Sequence, residues 1–179
     1  MLTCCTLLLS GCALIDDNND SFIRQTFLFE IEHRNYAWGH AWYGLYVDNE
    51  GTVYTYTLDA STRWEPASPD AFTGRELRDK FSHGREAIGS IDRATLLARM
   101  ALISSAADGP LADPVDRCRD AGETAFKAFL YNARTDRYTP VLLRQEGDWA
   151  QKNRSPSADS LTTWLKTLDE RFSYSFCAP

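Results

Sequence analysis

Long apolar runs are missing from this chain. The one at the amino terminus covers about ten residues, half of what a helix needs to cross a bilayer, so a polytopic membrane protein is excluded. Positive charge is in deficit, with 19 Lys plus Arg against 25 Asp plus Glu, a formal net charge of -6 and a pI near 5.0. Such a surface repels phosphate backbones, and no nucleic-acid partner is expected. Ready-made catalytic spacings are absent too: no GxSxG elbow, no SxxK, no Gly-rich phosphate loop, no HExxH, no CxxC, and no Cys next to a His. These absences lower the expectation of an enzyme, although a triad assembled in space needs no such spacing. Internal repeats and low-complexity tracts are also lacking.

What is there suits one ordinary domain. The 179 residues are 44% hydrophobic, 25% charged and 12% aromatic, enough to bury a core and not enough for two.

The chain begins with an apolar leader that closes on Leu9-Ser10-Gly11-Cys12, followed by Asp16-Asp17-Asn18-Asn19-Asp20. That close resembles the lipobox of bacterial lipoproteins. The resemblance implies that residues 1–11 are a signal peptide and that the thiol of Cys12 accepts diacylglycerol. Small residues at Ser10 and Gly11 give the peptidase access to the backbone. A fatty acyl chain such as palmitate on the new amino terminus would add to the methylene that the diacylglycerol buries and keep the anchoring stable; a single chain alone holds marginally. Ala13 rather than Asp after the anchor implies the outer membrane, facing the periplasm or the cell surface. Residues 12–21 then form a lipidated, acidic tether, and residues 22–179 a single globular domain. The acidic run is no EF-hand, because its sixth and twelfth positions are Ser21 and Phe27 rather than Gly and Glu.

Of the five Cys, Cys4, Cys5 and Cys12 belong to the leader and anchor, which leaves Cys118 and Cys177. In an oxidising compartment a lone pair of this kind predicts a disulfide. It would tie the approach to the fourth expected strand to the carboxyl end.

Period-two alternation predicts a strand over residues 22–34, with Phe27, Phe29, Ile31 and His33 on one face and Glu30, Glu32 and Arg34 on the other. Residues 41–47 and 52–58 flank Asp48-Asn49-Glu50-Gly51 and predict a hairpin. A capping box, Thr73 with Glu76, starts a short helix ending near Gly84. Asp92 caps a second helix with a stripe of Leu96, Leu97, Met100 and Ile103, stopped by Asp108-Gly109-Pro110. Residues 124–131 and 138–144 predict a second hairpin, and Pro140 places one of its strands at an edge. Ser155-Pro156 opens a last helix carrying Leu161, Trp164, Leu165, Leu168 and Phe172. The order βββααββα argues an α+β fold: an antiparallel sheet of about five strands with helices packed on one face.

Half of the aromatic residues (5 Trp, 8 Tyr, 9 Phe) fall between Phe22 and Trp64. Trp38, His40, Trp42 and Tyr43 cluster at the first strand connection, and Asp148 with Trp149 precede the last helix. These six are the candidate binding residues, weighed against the alternative of a core packed by aromatic pairs. Trp42 and Tyr46 share one face of their strand, Tyr43 and Leu45 the other. His33, His40 and His83 lack metal-site spacing and read as structural histidines, so no metal or other cofactor is expected. Glu30 and Glu32, about 7 Å apart on one face, resemble the carboxylate pair of a glycoside hydrolase in spacing but read as a solvated strand face. The expectation is a lipid-anchored envelope protein whose domain binds a protein, peptide or glycan without catalysis, an inhibitor or immunity type being one form. No catalytic residue is assigned; an envelope hydrolase acting on glycan or peptide is the alternative.

Overall fold

The computed structural model describes residues 23–62, 64–173 and 177. The expected leader, tether and anchoring Cys12 lie outside them. The strands are β1 (Phe27–Asn35), β2 (Ala41–Asp48), β3 (Thr52–Thr57), β4 (Phe72–Thr73), β5 (Glu86–Ser90), β6 (Val115–Asp116), β7 (Glu123–Asn132), β8 (Arg137–Gly147) and β9 (Trp149–Lys152). The helices are α1 (Gly74–Lys80), α2 (Arg93–Met100), α3 (Ile103–Ala107) and α4 (Pro156–Leu165), with a 3-10 turn over Glu170–Phe172.

The strands form one open, antiparallel, nine-stranded sheet in the order β5-β3-β2-β1-β7-β8-β9-β6, with β4 laid against β8. The α+β class is as expected, but five strands is too few. The unforeseen strands are β4 and β6, two residues each and too short to show a period, β9, and β5, exposed along its whole length and so without alternation. The turn between β2 and β3 closes as its sequence demands. Asp48 Oδ1 accepts from the backbone N–H groups of Glu50 and Thr52, and Gly51 takes the left-handed φ of +84°. Pro140 occupies a local edge: β4 pairs with β8 at residues 137–138 and β9 pairs at residues 144–145, and Pro140 falls in the gap between them.

Helices cover both faces of the sheet, not one. Leu28, Phe29, Ile31, Leu45 and Phe126 pack with Leu96 of α2, Ile103 of α3, and Leu161 and Leu165 of α4. On the other face Phe27, Tyr46, Tyr56, Phe129 and Tyr138 pack with Leu77 of α1 and with Phe81. A β-bulge between Phe27 and Phe29 explains why Phe27 leaves the Phe29 face that strict alternation gives it. The caps form where expected: Thr73 and Glu76 make a reciprocal box, Asp92 accepts from the Thr95 N–H, and Ser155 precedes Pro156. The expected second helix breaks after Met100 into α2 and α3.

Candidate functional site

The side of β1 that carries Glu30 and Glu32 is not solvated. Glu30 is 0% exposed and Glu32 3%, because α1 and the segment leading into β4 close over that face. The burial is possible because two ammonium groups arrive with them. Lys127, directly opposite Glu30 on β7, comes from the sheet itself. Lys80 comes from above: buried Leu77 and Lys80 lie three positions apart in α1 and so on one helix face, aimed at the sheet.

All four carboxylate oxygens are engaged. Lys80 Nζ donates to Oε1 of both Glu30 and Glu32 at 2.5 Å. Lys127 Nζ donates to Oε2 of Glu30 at 3.3 Å and to Oε2 of Glu32. The Tyr56 hydroxyl donates to Glu30 Oε1 at 2.6 Å and Trp42 Nε1 to Glu32 Oε1 at 2.8 Å. Gly44 makes this possible. It pairs with Glu32, and a Cβ there would lie 2.8 Å from the Tyr56 hydroxyl and 2.0 Å from the Ile31 carbonyl oxygen. Lys80 is also ringed by aromatic faces, its Nζ lying 4.7 Å from the ring centre of Trp64, 5.4 Å from Tyr56, 5.6 Å from Phe81 and 5.9 Å from Trp42.

Glu32 and Lys127 are each shifted by the charges around them. Burial alone would raise the Glu32 carboxyl pKa, but Lys127, Lys80 and Arg34 outweigh it and keep the group well below the usual carboxylate range. For Lys127, burial pulls downward and Glu30 and Glu32 overcome it, so its pKa is raised. Burial, followed by the two carboxylates, pushes the Tyr56 hydroxyl well above its ordinary value, which keeps it a donor.

A cleft of about 540 Å³ opens beside this cluster. Its walls are the rings of Trp42, Trp64, Pro66, Pro69, Phe72 and Pro140; its polar lining is Glu32, Arg34, Glu65, Lys80 and Lys127. Trp42 and Trp64 meet edge to face at 6.0 Å, and Trp64 Nε1 donates to the Glu76 carbonyl. A second hollow of about 300 Å³ lies between Asn35, Tyr36, Glu123, Asp148 and Trp149, and Arg34 lines both.

The six expected binding residues do not form one patch. Trp42 lines the cleft, while Tyr43 faces the opposite side of the sheet, against His33 at 4.9 Å and Phe172 at 6.1 Å. His40 donates from Nε2 to the Leu58 carbonyl and packs on Tyr36. Trp38 projects from the β1–β2 connection at 83% exposure. Asp148 clamps the turn before β7 by accepting from the N–H groups of Ala121 and Gly122, and Trp149 borders the smaller hollow. His33 contacts Thr124 through Nδ1 at 2.9 Å, so His33 and His40 serve separate contacts. Among the described residues no group of three His, Cys, Asp or Glu is placed to hold a metal. Cys118 and Cys177 are joined by a disulfide, as expected. Lys80 and Lys127 were not legible as site residues. The available signal was Lys80 on the Leu77 face of α1, a cation at an apolar helical position.

No family model, curated protein or solved structure matches the chain, so its chemistry is read from its own geometry. A general acid needs a proton near neutral pH, and Glu32 holds none there. A carboxylate pair in a glycoside hydrolase must flank a substrate bond, whereas Glu30 and Glu32 are bridged to each other by Lys80 and Lys127.

Proposed function

We propose that this is a lipid-anchored cell-envelope protein whose domain binds a ligand in the Trp42–Trp64 cleft and does no chemistry on it. One observation carries the binding reading: a ring-walled cleft sits over Glu32 and Lys80, whose hydrogen bonds are already made within the protein, which favours holding a molecule over attacking one. The envelope reading is supported by the lipobox-like Leu9-Ser10-Gly11-Cys12 and by the Cys118–Cys177 bond, a feature of oxidising compartments. Among the described residues no helix is long and apolar enough to cross a membrane.

The binding reading is tested on the full chain in detergent micelles, labelled with 5-fluorotryptophan and assigned with Trp42→Phe and Trp64→Phe. Screened by fluorine NMR against a fragment set, ligands are expected to move the Trp42 and Trp64 resonances and to be recovered unaltered after a day. Fragments that move only Trp38 and Trp149 would relocate the site, and cleaved fragments would make the protein an enzyme. Intact-mass analysis of native material tests the anchor: an unmodified Cys12, or a chain still beginning at Met1, overturns it.

A further inference from the structure

Most polar atoms around the cleft are committed within the protein, and this narrows what a ligand can use. The indole N–H of Trp42 goes to Glu32 and that of Trp64 to the Glu76 carbonyl. The Lys80 ammonium is held by Glu30 and Glu32 inside its aromatic ring, so the cage that would attract a foreign cation already contains one. β1, β2 and β7 are paired on both sides, and where β8 reaches the cleft the residue is Pro140, which has no N–H to donate. An extended peptide therefore finds no strand edge to pair with at the floor.

Two kinds of contact remain. The first is apolar ring surface: the indoles of Trp42 and Trp64, set edge to face, and the rings of Pro66, Pro69 and Pro140. The second is cationic. Lys127, 15% exposed, has three N–H donors, two of them taken by Glu30 and Glu32. Arg34, 38% exposed, lies over Trp42 at 5.6 Å and pairs through Nη2 with Glu123 at 2.7 Å and more distantly through Nε with Glu32 at 3.8 Å; Glu123 is itself 35% exposed, so solvent weakens that pair and a ligand anion can compete for the guanidinium. Glu32, which borders the cleft, is neutralised by Lys80 and Lys127, and Glu65 stands exposed on the rim.

We propose that the cleft takes a ring compound bearing a carboxylate, its ring packed between the indoles of Trp42 and Trp64 and the prolines, and its carboxylate on Lys127 and Arg34. This rests on the cleft being the binding site. A volume of about 540 Å³ suits one to a few rings. An acidic sugar and an aromatic acid share this chemistry, and the experiment separates them.

The fluorotryptophan-labelled full chain is titrated with galacturonate and phenylacetate, and with their neutral counterparts galactose and phenylacetamide. One of the acids is expected to move the Trp42 and Trp64 signals with an affinity at least tenfold above that of its neutral partner. The better acid assigns the source. Raising NaCl from 20 to 300 mM should weaken the acid several-fold and leave the neutral compound unchanged, a readout that needs no variant. Arg34→Gln should cost the acid at least tenfold and Arg34→Lys less. Equal binding of acid and neutral partner overturns this inference and leaves the cleft reading standing. Failure of both acids to move either signal, or full acid affinity in Arg34→Gln, also overturns it.

Discussion

Lys80 is buried, bonded to two carboxylates and surrounded by four rings. A methionine in its place would fill the space but leave Glu30 and Glu32 sharing one ammonium, Lys127, with Arg34 at 3.8 Å from Glu32. Lys80→Met is expected to lower stability by about 3–5 kcal/mol, the usual consequence of removing one partner from a buried ion pair, as read from urea unfolding at pH 7. Adding Glu32→Gln should recover part of that loss, since the two sites are coupled. The cluster also has a direction in pH. Glu32 has a folded pKa below its unfolded one, so the stability it contributes is complete above about pH 4.3 and is lost as pH falls through its lowered folded value. Lys127 is the reverse: its contribution is complete below about pH 10.4 and is lost as pH rises through its raised value. Unfolding free energy should therefore owe this pair no slope between those limits, and Glu32→Gln should flatten the acid limb and also shrink the alkaline one, because Glu32 is part of what raises Lys127.

At the level of elements, the site exists because α1 and β1 meet at close range. The helix starts at a capping box, which fixes where its first turn begins and so which residues face the sheet; six positions on, that face presents Lys80. The strand below must leave room for Tyr56 to reach Glu30, and Gly44 on β2 supplies it. Gly44→Ala would place a methyl against the Ile31 carbonyl and the Tyr56 ring at distances no packing tolerates. It is expected to destabilise the domain by about 1–3 kcal/mol and to shift the Trp42 fluorescence as the cluster opens, both followed in one denaturation experiment. The caps at Thr73, Asp92 and Ser155 were legible because their chemistry is local. The two-residue β4 and β6 were not, since such strands are created by their partners rather than by any pattern of their own.

For the molecule as a whole, one covalent link spans the fold. Cys118 and Cys177 stand 59 residues apart, joining the loop before β7 to the carboxyl end beyond α4. Reduction, or Cys118→Ser, is expected to cost up to about 4 kcal/mol by releasing that loop in the unfolded chain. The drop in melting temperature on adding reductant measures it, and a chain lacking both Cys should show none.

How far the sequence reaches differs between fold and site. Element type, caps, hairpins, the cysteine pair and the α+β class follow from neighbours a few residues apart and from cysteine arithmetic, and the sequence by itself determined them. The opposite sides taken by Trp42 and Tyr43 belong here too, because strand geometry alone fixes them. Whether Glu30 and Glu32 met water was decided only by the tertiary structure. Alternation says that two residues share a face; it does not say what covers that face. Lys80 lies about 50 residues from them and Lys127 about 95, and burying four charges together is stable only when all four arrive at once. That condition is set by the packing of α1 and β7 on β1, across distances no local pattern records.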